Sequence, residues 1–398
     1  MPYERLAQFL LPPEVKLIKH THTSQHRDGT GIDLIELEKE RPPFEVCHRC
    51  ASKATAHYDK RTVTIKDEPL RRSQVILIIH KHRWWCNTCK KPFTEPIGGI
   101  LPRRKTTQRF RKAVQNSCEI FCDLAQVRET FQCSSSLVYK ICYEQLDLKW
   151  REYQYPWPKK LGIDEHFFRR YKGRSEFVTV FTDFENSRLR EVCQGRSTSE
   201  ITPQLLHIEG KENVKIVCID LCSTYRRFCK THFPNANLVA DKFHVLKLLT
   251  PALFKERKAC SKTNANRVAQ KFLLTPARNL DYFDRVAFHK KLAEFPKLNE
   301  LYLWKERLHG FYRIKGFDRA VKALDILIEQ MKKSLLPEIK TLAKTLKQWG
   351  TEITNYFRYK VTNGMTEGYN NIAKLVQRRA FGYKSFPNYR LRVLNACA

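Results

Sequence analysis

Acidic residues are scarce in this sequence: 41 Asp and Glu stand against 73 Lys and Arg in 398 residues, a formal charge of +32. That excess repels itself unless a polyanion is near, so nucleic acid is the leading partner. Long apolar runs are missing too. The longest aliphatic stretch is about five residues, Val75 to Ile79, where a membrane helix needs about 20, and no membrane segment is expected. The opening MPYERLAQFLLPPEVK carries acids and prolines where an export signal needs a basic start and an apolar core. A cytoplasmic protein is expected. Neither a repeat nor a low-complexity tract is present, which excludes solenoids. What is present, 42% hydrophobic residues with 24 Phe and 16 Tyr, suffices for two or three domains with real cores.

In a reducing compartment, fourteen cysteines argue for thiols and metal rather than disulfides. Cys47-x-x-Cys50 and Cys86-x-x-Cys89 bracket the strand-like segments TVTI and QVILIIHKHRWW. Each pair lets two thiolates converge on one Zn²⁺ about 2.3 Å away, and two pairs close a tetrahedral structural site. The pattern predicts a zinc ribbon over 44–96 within an N-terminal region 1–100. Four thiolates leave no open position for a catalytic zinc.

From Thr106 to Leu146 the sequence turns helical. DLAQVRETFQCSSSLVYKICYEQL gives a helix, a polar break at Gln132 to Ser134 and a second helix, the pattern of a helix-turn-helix. Leu124, Val127, Phe131, Leu137, Val138 and Ile141 would face inward, and Ser135, Ser136, Tyr139 and Lys140 would meet a DNA groove or its phosphates. Spacing alone fits a plain helical hairpin equally well; the preceding basic run with Arg103, Arg104 and Lys105 favours DNA. This module is assigned to 101–155, ending in the proline- and aromatic-rich linker REYQYPWPKK.

After the linker, short strands alternate with helices: LGIDEHFFRR, EFVTVFTDF and SRLREVC, a helix, NVKIVCID, a helix, and ANLVA. Three strands on short turns followed by strand–helix alternation give a mixed sheet, in the order used by the ribonuclease-H-like fold. The core is assigned to 156–250 plus 350–398, interrupted by a charge-rich, all-helical insertion over 251–349. The expected fold class is therefore multidomain α/β.

Asp164 lies within the first of these strands and Asp220 ends the fourth, which in such a sheet lies beside the first. Both carboxylates can reach one edge. Phosphodiester chemistry is served by two divalent cations held by carboxylate oxygens, which asks for a third acid. Glu367 sits in the first turn of an amphipathic helix capped by Asn363 or Thr366, where the helix dipole favours the ionised form. Tyr369, Ile372 and Val376 would face inward, while Asn370, Asn371, Lys374 and Arg378 share the polar side with Glu367. Lys374, Arg378 and Arg379 would hold phosphates. Glu165 alternates to the other strand face, and Asp183 suits a turn.

The ordered blocks LGIDEHFF, VCIDLCSTYRRFCKTHFPNANLVADKFHVLKLL and NGMTEGYNNIAKLVQRRAFGYKSFPNYRLR, behind a four-cysteine ribbon, resemble the ISL-three family of bacterial DDE transposases from Cys47 to about Arg392. The resemblance implies that Asp164, Asp220 and Glu367 match the family's catalytic acids with Mg²⁺ or Mn²⁺ as cofactor, and that the helical region is inserted before the third. Asp241 and His244 match an Asp-x-x-His element, with a supporting role or a purely structural one. The implied activity is DNA transposition: terminal inverted repeats are bound and cut, and the freed ends are joined to target DNA by at least a dimer. The alternatives are a domesticated, non-catalytic DNA-binding regulator and a structure-selective nuclease on the same fold.

Overall fold

A computed structural model describes residues 11–12, 14–24, 31–71, 73–120, 123–260 and 268–398. The first ten residues, read above for an export signal, lie outside them, as does part of the helical insertion at 261–267. The chain divides into two compact units, Met1–Arg151 and Glu152–Ala398.

The first unit opens with strands β1 (Val15–Ser24) and β2 (Gly31–Lys39), then a two-residue ladder of β3 (Glu45–Val46) and β4 (Lys53–Ala54). A long hairpin of β5 (Ala56–Leu70) and β6 (Ser73–Cys86) follows, and β7 (Lys91–Thr94) pairs with the end of β6. The sheet order is β1-β2-β6-β5, with β2 parallel to β6. Alternation along β6 sends Val75, Leu77 and Ile79 into a core with Leu37, Ile65 and Ile97. Sequence reasoning found the hairpin only in part and missed β1 and β2. Nearly every residue of β1 is exposed, so it carries no alternating apolar signal to read.

Helix α1 (Gln108–Ile120) is tied to β5 by buried Asp67, which accepts from Thr107 Oγ1 at 2.6 Å and Arg109 Nε at 2.7 Å. Then come α2 (Leu124–Thr130), N-capped by Asp123, and α3 (Ser135–Glu152). Val127, Phe131, Val138 and Ile141 are buried as expected, while Leu124 and Leu137 are half-buried.

In the second unit, β8 (Lys160–Tyr171), β9 (Arg174–Asp183) and β10 (Arg188–Gln194) form an antiparallel meander. Its first turn is tight, with Lys172 and Gly173 both at positive φ. After α4 (Thr198–Leu205) come β11 (Ile216–Ile219), α5 (Ser223–His232) and β12 (Asn237–Ala240). The sheet order is β10-β9-β8-β11-β12, with β8, β11 and β12 mutually parallel. The fourth strand is shorter than the expected NVKIVCID: Asn213 ends a 3-10 turn and pairing runs only from Ile216 to Ile219. The linker reading also needs correction: Trp157 is 2% exposed and belongs to this unit's core, packed edge-on against Phe181 and Phe233.

Short α6 (Lys242–Lys247) leads into helices α7 (Thr250–Ala259), α8 (Gln270–Leu274), α9 (Tyr282–Ala293), α10 (Pro296–Phe311), α11 (Phe317–Lys332) and α12 (Pro337–Gln348). Among the described residues, 251–349 contain no strand. The chain returns to the sheet through α13 (Gly350–Tyr359), where Asn355 donates to the Leu238 carbonyl at 2.8 Å and Arg226 grips Glu352 with two hydrogen bonds. Helices α14 (Gly364–Arg379) and α15 (Phe386–Ala396) close the fold. No described helix is long and apolar enough to cross a membrane.

Candidate active site

Two adjacent parallel strands bring Asp164 and Asp220 together. Asp164 lies in β8 two residues past Gly162, the last to pair with β11, and Asp220 is the residue immediately after β11. Asp241 directly follows β12, the next strand over, and N-caps α6 by accepting from the His244 backbone N–H at 3.3 Å.

The fourth contributor is α14, whose first turn presses against β8. Asn363 reaches across to donate its side-chain amide to the Ile163 carbonyl at 2.9 Å, and its backbone N–H donates to Asp241 Oδ1 at 3.0 Å. Asn363 does occupy the N-cap, but its side chain makes no capping bond. This corrects the expected cap: the residue is spent on docking. The close approach needs Gly162, since a Cβ there would collide with Thr366, Phe184 and Asn363. Glu367 therefore enters the site from a helix end held rigidly against the strand that carries Asp164.

Asp164, Asp220, Asp241, His244, Asn363, Glu367, Asn370 and Lys374 line one open cavity of about 450 Å³. Its electrostatics are those of crowded carboxylates. Burial, then the neighbouring Asp220 charge, pushes the Asp164 carboxyl up to about 7. His244 Nδ1 lies 2.8 Å from Asp220 Oδ1 and 3.0 Å from Asp241 Oδ2, and these two partners raise the imidazole to about 10. Burial works to raise Asp241, but His244 and the Asn363 N–H outweigh it and hold that carboxyl low. Despite the short contact to His244, buried Asp220 Oδ1 has no aligned hydrogen-bond donor. An ion pair without a matched donor is an arrangement a cation would satisfy better.

Two groups of described residues place their donor atoms within 4.8 Å of one another. One is Asp220, Asp241 and His244; the other is Cys47, Cys50, Cys86 and Cys89. Among the described residues, Glu367 lines the cavity with Asp164 and Asp220 without joining a group that tight. Cys47 and Cys50 come from the β3–β4 connection, Cys86 from the end of β6 and Cys89 from the β6–β7 connection, with Cys50 and Cys86 sulfurs 3.5 Å apart. Hydrogen bonds from Ser52 hold the Cys50 thiol down to about 6, while Cys50 at its side drives Cys89 up to about 12. Buried Trp84 and Phe93 pack against them.

The family profile described as "Transposase" matches residues 161–393, which covers every residue of this cavity. The chain belongs to the ISL-three family of DDE transposases. Over 388 residues it is 23% identical to the transposase for insertion sequence element IS1001 of Bordetella parapertussis, spanning 92% of this chain and 94% of that protein. Over 260 residues it is 25% identical to the transposase for insertion sequence element IS1557 of Mycobacterium tuberculosis, 57% of each chain.

Elsewhere in the transposase, Ser135, Ser136, Tyr139 and Lys140 are exposed at the start of α3, and Arg103 and Lys105 on the loop before α1; Arg104 there lies 3.5 Å from Glu144. Lys374, Arg378 and Arg379 are exposed along α14. Glu165 accepts from Tyr225 at 2.8 Å, and Asp183 is consumed by the β9–β10 turn, accepting from Glu185 N, Asn186 N and Asn186 Nδ2. The expected faces of α14 need correction: Ile372 is 36% exposed, whereas Thr366 and Asn370 are buried. Sequence reasoning missed Asn363, Thr366 and Asn370 as inward residues because they are polar. The signal was their spacing of three and four positions, in line with Ala373.

Proposed function

We propose that this chain recognises the terminal inverted repeats of a mobile element, cuts the element's ends and transfers them to target DNA, with Asp164, Asp220 and Glu367 as the acids that hold divalent cations. The sheet order β10-β9-β8-β11-β12, third-second-first-fourth-fifth along this unit, is that of the ribonuclease-H-like fold, with 251–349 as its helical insertion. The single observation that carries the reading is that three acids from β8, the end of β11 and the start of α14 open into one cavity.

The donor set fits Mg²⁺ or Mn²⁺: hard carboxylate oxygens, one of them buried without an aligned donor. Bound there, the cations would polarise the scissile phosphate and favour ionisation of the attacking hydroxyl. The chain's own residues supply the rest. Asp164 and Asp220 define the floor of the site, Glu367 closes it from α14, and Lys374 at the rim offers its ammonium to a phosphate. Asp241 and His244 brace Asp220. The four cysteines hold structural Zn²⁺ in a ribbon over 44–96. Helices α2 and α3 act as a helix-turn-helix, with Ser135, Ser136, Tyr139 and Lys140 toward the DNA groove. Arg103, Arg104, Lys105, Arg378 and Arg379 contact phosphates, so affinity falls steeply with salt. Two ends must be held at once, which calls for a dimer or higher oligomer on DNA.

The test is end cleavage and strand transfer on DNA carrying the element's termini, with Mg²⁺ or Mn²⁺, comparing the native chain with Glu367→Gln. Joined products from the native chain alone support the reading. No cleavage by either would mark a DNA-binding regulator, and cutting of branched DNA without joining would mark a structure-selective nuclease.

A further inference from the structure

We propose that Asn370 is a positioning residue for Asp164, its amide oriented by a buried hydrogen-bond chain that starts at Tyr389 on α15 and passes through His166 on β8. The inference rests on the reading of Asp164 as a site acid. Its geometry is a continuous relay: Tyr389 oxygen lies 2.5 Å from His166 Nε2, His166 Nδ1 2.9 Å from Asn370 Oδ1, and Asn370 Nδ2 2.8 Å from Asp164 Oδ2. Tyr389, His166 and Asn370 are 0%, 4% and 3% exposed, so water does not compete for the first two bonds, while the third lies at the cavity wall.

With Asp164 ionised, as a metal ligand must be, the donors can run in one sense only. A carboxylate oxygen accepts, so Asn370 must turn its NH₂ toward Asp164 and its carbonyl toward His166. His166 must then donate through Nδ1, which leaves Nε2 of a neutral ring to accept the Tyr389 hydroxyl proton. A flipped Asn370 would set its carbonyl against the carboxylate and lose that bond outright. Asp164 Oδ1 is held separately by the Glu165 backbone N–H at 2.8 Å. Each oxygen therefore has one protein donor, and lone pairs are left for the cavity.

The consequence concerns the site's dimensions. Asn370 and Glu367 are three positions apart on α14, hence on one side of the helix, and both line the cavity. The bond from Asn370 to Asp164 thus fixes the span between the acid on the sheet and the acid on the helix. Partners of this kind around ligating carboxylates typically carry 10- to 100-fold in metal affinity.

The experiment uses the full chain. Histidine-selective ¹⁵N NMR with Mg²⁺ present, so that Asp164 is ionised, reads the His166 tautomer, assigned by its loss in His166→Gln, and calorimetry with Mn²⁺ reads metal binding in the native chain, Asn370→Ala, Tyr389→Phe and Asp164→Asn. The expected results are an Nδ1–H tautomer, Mn²⁺ affinity lowered about tenfold in Asn370→Ala, and a smaller loss in Tyr389→Phe, which keeps the ring and its packing. An Nε2–H tautomer overturns the proposal even if Asn370→Ala fails to fold. So does native Mn²⁺ affinity in Asn370→Ala. If Asp164→Asn itself binds Mn²⁺ like the native chain, the reading of Asp164 has failed, a result distinct from failure of the relay.

Discussion

Gly162 lies directly beneath Thr366: a methyl group on the strand residue would overlap the threonine hydroxyl and come within 2.8 Å of Asn363 Oδ1. These two obstacles belong to the docked start of α14, and the third, Phe184 Cζ, closes the space beside them, so Gly162→Ala pushes on the helix turn that carries Glu367. The expected outcome is a loss of end cleavage of at least about tenfold, from a misplacement on the order of 1 Å, in a chain whose circular dichroism stays native. Full cleavage by this variant would mean that the position of α14 does not set the site.

How much of this was legible in the sequence depends on where burial is apolar. Asp164 and Asp220 could be placed because Leu161, Ile163, Val217 and Ile219, all fully buried, mark their strands plainly. The cysteine pairs were legible because two short spacings flank strand-like segments. The docked face of α14 was not: Asn363, Thr366 and Asn370 are buried polar residues, Asn363 and Asn370 bonded to groups on the sheet and Thr366 to Asn363, and hydrophobic periodicity assigns such residues to solvent. Strand β1 failed for the opposite reason, since an exposed strand has no buried face to announce itself.

His244 bridges Asp220 and Asp241, and those two partners hold its imidazolium to about 10. Because that value lies above the ordinary 6.5, the stabilisation is complete below about pH 6.5 and is lost as pH rises through about 10. In chelator, the thermal midpoint of the native chain should therefore fall more between about pH 7 and 10 than that of His244→Gln. Parallel curves would show that the bridge adds nothing to stability.

Arg390 on α15 makes a two-pronged pair with Glu191, itself 1% exposed, at 2.6 and 2.5 Å. Arg390→Ala leaves that carboxylate buried with His207 3.9 Å away. A destabilisation of about 3 kcal/mol is expected in urea titration; less than about 1 kcal/mol would mean the pair is dispensable.

Metal analysis of the purified chain should return one zinc, held by Cys47, Cys50, Cys86 and Cys89. Cys86→Ser should lose it and expose Trp84, now buried beside the thiols, with a red-shifted tryptophan emission. A chain that retains its zinc after this substitution would place the ion elsewhere.

The central claim is that Asp164, Asp220 and Glu367 share divalent cations, and anomalous diffraction from crystals of the chain grown with end DNA and Mn²⁺ addresses it most directly. The expected map shows manganese touching Asp164 and Asp220, with density also reaching Glu367. Manganese held by Asp220, Asp241 and His244, with Asp164 and Glu367 left free, would contradict it.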